Sequence, residues 1–346
     1  MKIAVIGAGR VFAHYLENVF TKPFINQHEI YIFSNSYINK LDSGHSSIIK
    51  LKTFEELINL KPDCAFILTP SGLHYEHSLE CLKNGINVLC EKPLTMRLDH
   101  LYSLVDLAEE NDLIYSPVFQ NRFNPTVVIL KQIIDNGMLG DSKIASVNLH
   151  WSREQSYYED KWHGKWKTDG GVINQQAIHH IDCLIYLNGK IDSVISSKYN
   201  LINNLEAEDT HIALLSHANG SIGTLELTTS ARPCDKSSMI SILGTKGYIE
   251  IGGLALNNIN CIELGDKSLE AKVKATSFSV DSAYGYSHKI IVEDFLSSIK
   301  NKVTPKVSAK SSFDTHQAIH SLYRSTETQS NWCKVSSHEQ SHYLGL

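Results

Sequence analysis

The chain has 346 residues, enough for two domains at about 100–200 residues each. Hydrophobic residues make up 42% and charged residues 20%, the balance of a soluble globular protein, and the net charge of -5 is spread along the chain. No basic block suits nucleic acid or an anionic membrane, and no run of about 18 apolar residues offers a transmembrane helix. Met1 leads straight into Lys2-Ile3-Ala4-Val5-Ile6, with no signal-peptide pattern, so a cytoplasmic location is expected. Cys64, Cys81, Cys90, Cys183, Cys234, Cys261 and Cys333 form no C-x-x-C pair. They read as reduced, mostly buried thiols, and no metal site is expected.

The first third alternates strands and helices. Strands are expected at Lys2–Ile6, Glu29–Phe33, Cys64–Leu68, Asn87–Cys90 and Leu113–Phe119. Amphipathic helices fall between them, at Val11–Phe20, His74–Asn84 and Leu98–Asn111. This order predicts βαβ units and a doubly wound parallel sheet, an α/β domain over residues 1–122 whose part in binding a dinucleotide is argued from its first turn below. From residue 123 to 346 the pattern becomes α+β. Lys143–Trp151 alternates like a strand, and Asn219-Gly220 joins Ile212–Ser216 to Ser221–Thr228 as a hairpin. Met239–Leu243 and Tyr248–Ile251 form a second hairpin, and helices close the chain at His288–Lys300 and Asp314–Thr326. Consecutive hairpins imply an antiparallel sheet.

Gly7-Ala8-Gly9 follows the first strand and opens a helix at Arg10 and Val11. The first Gly permits the tight turn, and the second lets the backbone approach a pyrophosphate drawn to the helix N-terminus. Phe12 replaces the third Gly of that fingerprint. The second strand ends in Ser34 and Asn35 where an acid would hold the ribose diol of NAD. Both can bond a ribose hydroxyl or a 2′-phosphate. No Arg follows at once to prefer NADP, so the reading leans to NAD with NADP open. Thr69, Pro70, Ser71 and His74, then Glu91-Lys92-Pro93, fall at further strand ends, where ligands of such sheets sit.

Asp169-Gly170-Gly171 leads into a stretch that reads as one helix from about Val172. Ile173, Ala177, Ile181 and Leu184 form an apolar stripe, and Gln175, His179 and Asp182 form a polar one roughly 200° away. The polar stripe offers an amide, an imidazole and a carboxylate, and His179 suits a general base for alcohol oxidation. His180 points elsewhere on the wheel and reads as structural. Upstream, Arg153 can fork onto a carboxylate or phosphate. Gln155, Tyr157, Tyr158 and Asn174 offer neutral donors and acceptors. Trp162 and Trp166 either stack on a ligand or pack their loop onto the sheet.

Taken together, Gly7-x-Gly9, Thr69-Pro70-x-x-x-His74, Glu91-Lys92-Pro93, Phe119-Gln120-Asn121-Arg122-Phe123-Asn124-Pro125 and the Gly-rich turn before His179 and Asp182 resemble the Gfo/Idh/MocA family of glucose–fructose oxidoreductases and inositol dehydrogenases. The resemblance spans essentially the whole chain. It implies a Rossmann domain followed by an α+β domain with an open, mostly antiparallel sheet. It also implies NAD as cofactor, Lys92 between cofactor and substrate, and His179 as acid/base. Gln120 joins the cofactor residues, and Gln175, His179 and Asp182 join Arg153, Gln155, Tyr157, Tyr158 and Asn174 around the substrate. Many members carry Asp where this chain has Gln175, so proton relay through that position is excluded.

The segment from Trp151 to Gln175 resembles the branch of UDP-N-acetylglucosaminuronate 3-dehydrogenases, with His163-Gly164-Lys165-Trp166 replacing that branch's Arg-Gly-Thr-Trp. The expected activity is hydride transfer at a ring hydroxyl of a sugar or nucleotide sugar. The alternatives are an inositol or simple-sugar dehydrogenase and a nucleotide-binding regulator without catalysis. A broad open sheet further predicts a homo-dimer or homo-tetramer.

Overall fold

The computed structural model describes residues 1–34 and 48–345, save the Ser237 side chain. Asn35 lies outside the described residues. In chain order the first elements are β1 (Lys2–Ile6), α1 (Arg10–Asn18), α2 (Lys22–Ile25), β2 (Glu29–Phe33), β3 (Ile48–Lys50), α3 (Phe54–Asn59), β4 (Cys64–Ile67), α4 (His74–Lys83), β5 (Asn87–Cys90), α5 (Leu98–Glu110) and β6 (Tyr115–Pro117). There follow α6 (Pro125–Asp135), β7 (Ser142–His150), α7 (Val172–Gln175), α8 (Ile178–Asn188), β8 (Ile191–Tyr199), β9 (Thr210–His217), β10 (Ile222–Thr228), β11 (Ser237–Gly244), β12 (Tyr248–Gly252) and β13 (Asn258–Glu263). The last are α9 (Lys267–Lys274), α10 (His288–Asn301), α11 (Phe313–Glu327) and β14 (Cys333–Lys334).

The chain divides into two compact units, Met1–Val118 with His288–Ser312, and Phe119–Ser287 with Phe313–Leu346. This departs from a single boundary after residue 122. Helix α10 returns late in the sequence to pack on α1 and β5, burying Ile291, Val292 and Phe295 there. A pattern read along the sequence cannot assign such a helix, because its apolar stripe does not name the surface it covers.

The first unit holds a six-stranded parallel sheet in the order β3-β2-β1-β4-β5-β6. Strand β1 pairs with β2 on one side and β4 on the other, so the connections reverse direction between β1 and β4. Ligands of doubly wound sheets bind beyond the strand C-termini at such a reversal. Phe12, where the third Gly of the fingerprint was expected, is buried and packs 6.2 Å from Phe20, which in turn stacks on Phe66 of β4. The space that Gly would leave between helix and sheet is thus filled by aromatic rings.

The second unit holds an eight-stranded sheet in the order β13-β12-β11-β7-β10-β9-β8-β14. All pairs are antiparallel except β7 with β10. Both expected hairpins form, β9–β10 and β11–β12. Strands β8 and β13 carry register shifts, between Ile191 and Ser193 in the first and opposite Glu250 and Ile251 in the second. Such bulges break the period-2 alternation that marks a strand in sequence. Helices α8 and α11 pack on the sheet, the first against β7 and β11 and the second against β8. Among the described residues no helix is long and apolar enough to cross a membrane.

Candidate active site

The first unit builds a nucleotide cradle at the sheet reversal. Gly7 has φ +102°, a conformation that disfavours side chains, and a Cβ there would lie 2.8 Å from the Leu68 carbonyl. Gly7 is therefore fixed by the protein's own turn. At Gly9, which is exposed, a Cβ would meet nothing within 4 Å. No packing demand accounts for this glycine, and the free space in front of it fits the close approach of a pyrophosphate. The N–H groups of the first turn of α1 have no side-chain cap and no acidic neighbour, leaving donors for an anion. Arg10 is exposed there and Val11 half-buried, and Ser34 is half-buried at the end of β2.

The neighbouring strand ends are braced internally. His74 is buried, with Nδ1 2.6 Å from the Pro93 carbonyl and Nε2 2.8 Å from the Thr69 carbonyl. The ring thus lies between the loop after β4 and the loop after β5, and its one N–H donates to one of the two carbonyls. Burial lowers the imidazole pKa, against the pull of the two carbonyls. His74 acts as a strut between the two loops expected to line the cofactor site. Ser71 is buried, whereas Thr69 and Pro70 are half-buried on the loop that His74 holds. Thr69 Oγ1 lies 3.2 Å from Nδ1 of His77. Glu91 is buried as well. From Val88 to Met96, Lys92 is the single residue that is not buried.

In the second unit, the expected continuous helix is broken. Helix α7 ends at Gln175 and α8 starts at Ile178, so one 3.6-residue wheel does not run through the stretch. The break takes Gln175 off the helix that carries His179 and Asp182, and the predicted stripe is not open as a whole. From Gly171 to Ile185 every residue except His179 is buried. The His179 ring meets Phe119 edge-on, centroids 6.1 Å apart. Gln175 and Asn174 are buried, and Asn174 Nδ2 donates to the Asp169 carbonyl at 2.8 Å.

Asp182 lies in the core. Arg122 clamps its two oxygens from Nε at 2.8 Å and Nη2 at 2.6 Å, and Thr315 Oγ1 donates to it at 2.9 Å. Side-chain exposure is 1% for Asp182 and 7% for Arg122. This bidentate buried pair gives Asp182 a structural partner in place of the open position expected for it. His180 is buried and bonds Ser238 Oγ, as a structural residue should.

A buried acid missed in the sequence supports the Gly-rich turn. Glu208 Oε1 accepts from Tyr323 Oη at 2.9 Å, and the same hydroxyl accepts from the Gly171 N–H at 3.1 Å. A Cβ on residue 171 would lie 2.0 Å from the Glu208 carboxyl, so this glycine answers to packing. Burial pushes the Glu208 pKa up to about 8. In the sequence Glu208 sits within Leu205-Glu206-Ala207-Glu208-Asp209, a polar run that reads as a solvated loop.

The upstream segment divides by role. The Arg153 guanidinium lies over Trp151 at 5.1 Å and Tyr157 at 5.8 Å, and its Nη1 is 3.2 Å from Asp235. Gln155 exchanges bonds with the backbone of Asn204, at 2.8 and 3.3 Å, and so fastens a loop. Tyr158 Oη bonds Thr229 at 2.8 Å. Trp166 stacks on Tyr343 at 4.5 Å and carries Lys198 over its face at 5.0 Å, which assigns it to packing. Trp162 lies 3.7 Å from the His163 ring and stays half-buried. Gln120 Oε1 is buried with no partner among the described residues, an acceptor open to a donor.

Comparison with known proteins agrees with this architecture. The structure resembles the WlbA dehydrogenase from Bordetella pertussis, solved in complex with NADH and UDP-GlcNAcA, with a TM-score of 0.90 and 25% identity over 97% of this chain and 98% of that one. D-glucoside 3-dehydrogenase of Escherichia coli is 22% identical over 95% of this chain and 96% of its own length. The scyllo-inositol 2-dehydrogenase (NADP(+)) IolW of Bacillus subtilis is 25% identical over 60% of this chain and 58% of its own. Residues 1–119 match the oxidoreductase family's NAD-binding Rossmann fold, and residues 131–335 match its C-terminal alpha/beta domain. The chain therefore belongs to the Gfo/Idh/MocA oxidoreductase family, with an NAD-binding Rossmann fold at its N-terminus.

Proposed function

We propose that the protein is an NAD-dependent dehydrogenase acting on a ring hydroxyl of a sugar-like substrate, with UDP-N-acetylglucosaminuronate as the first compound to test. One observation carries this reading. Lys92 and His179 are the only residues of their respective stretches, Val88–Met96 and Gly171–Ile185, that are not buried, and they are a cation and an imidazole. In the proposed reaction His179 takes the proton of the hydroxyl as hydride leaves its carbon. The Lys92 ammonium stabilises the developing alkoxide by charge and hydrogen bonding. NAD, when bound, supplies the hydride acceptor. Gly9, the first turn of α1 and Ser34 hold its phosphates and ribose, and Gln120 offers an acceptor. Gln175 does not ionise and serves as a neutral hydrogen-bonding group.

The nucleotide-sugar choice is supported by the UDP-GlcNAcA complex of the WlbA neighbour and by Arg153 with the rings of Tyr157 and Trp162. A specific observation favours a second reading, an inositol or simple-sugar dehydrogenase. Asp235 already balances the Arg153 charge at 3.2 Å, so a neutral polyol meets no unsatisfied cation there. A substrate panel separates the two, because a UDP sugar is turned over under the first and inositols or free sugars under the second. Lys92→Ala should lower kcat by about 100-fold while leaving NAD affinity within about twofold. Unchanged turnover would remove Lys92 from the mechanism.

The outer face of the second sheet also suits self-association. Leu243, Ile144 and Ile222 lie in one cross-strand row, with Leu214 and Ile212 beside them, and all five are exposed. Exposed apolar side chains grouped on one sheet face suit an interface, and the same face on a second copy is a natural complement.

A further inference from the structure

The turn that leads to His179 is held from outside its own sequence. The first N–H groups of a helix have no partner within it, and a Ser or Asp just before the helix usually takes one of them. Before α7 stands Gly171, which has no side chain to offer. The three donors go elsewhere. The Gly171 N–H donates to Tyr323 Oη at 3.1 Å, the Val172 N–H to the Glu208 carbonyl at 3.0 Å and the Ile173 N–H to Glu208 Oε1 at 3.4 Å. Tyr323 Oη donates in turn to Oε1 at 2.9 Å. The Tyr323 ring meets Trp166 at 5.3 Å, His211 at 5.8 Å and Tyr343 at 6.2 Å, which fixes its direction. The Glu208 carboxyl is 1% exposed, lies 4.0 Å from Nδ1 of His211, and keeps Oε2 without a partner among the described residues. Such a group costs stability, so packing alone does not account for an acid here.

We infer that Glu208 and Tyr323 are positioning residues for His179: they take the backbone donors of Gly171, Val172 and Ile173, and the turn so fixed sets the start of α8 and the place of the imidazole. The inference rests on the acid/base role proposed for His179 above. The link runs through the backbone. The Val172 carbonyl accepts from the N–H groups of Gln176 and Ala177 at 3.1 and 2.8 Å, and the Ala177 carbonyl accepts from those of His180 and Ile181, both at 2.9 Å. His179 thus sits between two residues whose backbone is tied to that turn, Ala177 and His180. Gly171 is part of the same device. A Cβ there would lie 2.0 Å from the Glu208 carboxyl, so the carboxyl can stand over the turn only while residue 171 is glycine.

The tests are Tyr323→Phe, which keeps the ring and removes the acceptor of the Gly171 N–H, and Glu208→Ala, which removes the carboxyl. Glu208→Gln is the conservative variant, since it keeps an oxygen for Tyr323 and Ile173 to donate to. With UDP-N-acetylglucosaminuronate, or the sugar that replaces it in the substrate panel, kcat well below Tm should fall about tenfold or more in Tyr323→Phe and Glu208→Ala, as expected for a misplaced acid/base. Glu208→Gln should stay within about threefold of the wild type, and NAD affinity within about twofold in all three. A second readout needs no substrate. In protein labelled on its histidine rings, the NMR signal that His179→Ala removes belongs to His179, and the neighbouring Phe119 ring at 6.1 Å makes its shift sensitive to position. That signal should move in Tyr323→Phe and Glu208→Ala and keep its place in Glu208→Gln. Gly171→Ala should also lower kcat less when added to Glu208→Ala than on its own, because the carboxyl that its Cβ would strike is gone. A lower Tm with unchanged kcat and an unmoved His179 signal in Tyr323→Phe and Glu208→Ala would overturn the inference and leave both residues to the fold. Should Glu208→Ala fail to fold, Tyr323→Phe decides alone. Should His179→Ala keep full turnover while the His179 signal still moves in the variants, the acid/base role fails and the positioning stands.

Discussion

Replacing Asp182 by Asn separates a structural role from a substrate-binding one. The substitution keeps the size of the side chain and removes the counter-charge of Arg122, which is 7% exposed and paired through two hydrogen bonds. Breaking one side of a buried pair strands the other charge and costs about 3–5 kcal/mol. The rings of Phe119 and Tyr186, 5.7 and 5.2 Å from the guanidinium, keep some favourable contact with the cation. The lower end of that range, about 3 kcal/mol, is therefore expected. The second unit has about 200 residues, so each kcal/mol lowers Tm by roughly 2–4 °C and the expected drop is about 6–12 °C. The assay is calorimetry of the ligand-free protein, read on the transition of that unit. Replacing both partners, Arg122→Met with Asp182→Leu, should recover most of the loss, because well-packed apolar substitutes for a buried pair are often neutral. A Tm change under about 1 °C for Asp182→Asn, together with a raised substrate KM, would refute the reasoning and return Asp182 to the substrate site.

Two further outcomes follow from the glycines and the sheet face. Gly7→Ala should lower Tm, since φ +102° and the Leu68 carbonyl at 2.8 Å leave no room for a Cβ, whereas Gly9→Ala should leave Tm unchanged and weaken NAD binding about tenfold or more in a binding titration. Equal effects of the two on Tm would mean that Gly9 serves the fold. Leu214→Lys on the exposed sheet face should reduce the molar mass measured by light scattering after size exclusion, and an unchanged mass would place any self-association elsewhere.

The sequence was most readable where one local rule decided the outcome. Lys2–Ile6, Glu29–Phe33 and Asn87–Cys90 form strands with the expected limits, because continuous apolar runs between turn residues suit a sheet buried on both faces. Both hairpins were legible from their turns. Helix α9 was not, since its lysines and single buried valine give almost no apolar stripe, and its one sequence mark is the Asp266 cap. Lys92 and His179 stood out by residue type and position, and each is the one residue of its stretch that is not buried. The wheel misplaced Gln175 because the helix breaks after it, and it could not show that Asp182, on the same helix as His179, is held in the core by Arg122. Glu208 and His288 were missed for a common reason. Each comes from a segment distant in sequence from the turn or strand that it supports, and no spacing rule links them.

The central claim is that NAD and a sugar-like substrate meet in this protein as redox partners. The most direct measurement follows absorbance at 340 nm with purified protein, NAD and, in separate reactions, UDP-N-acetylglucosaminuronate, inositols and free sugars, with Lys92→Ala and His179→Ala as controls. The account predicts NADH formation with at least one of these substrates, falling by about 100-fold in each variant while NAD binding persists. No NAD binding in a parallel titration, or turnover that survives both substitutions, would contradict it.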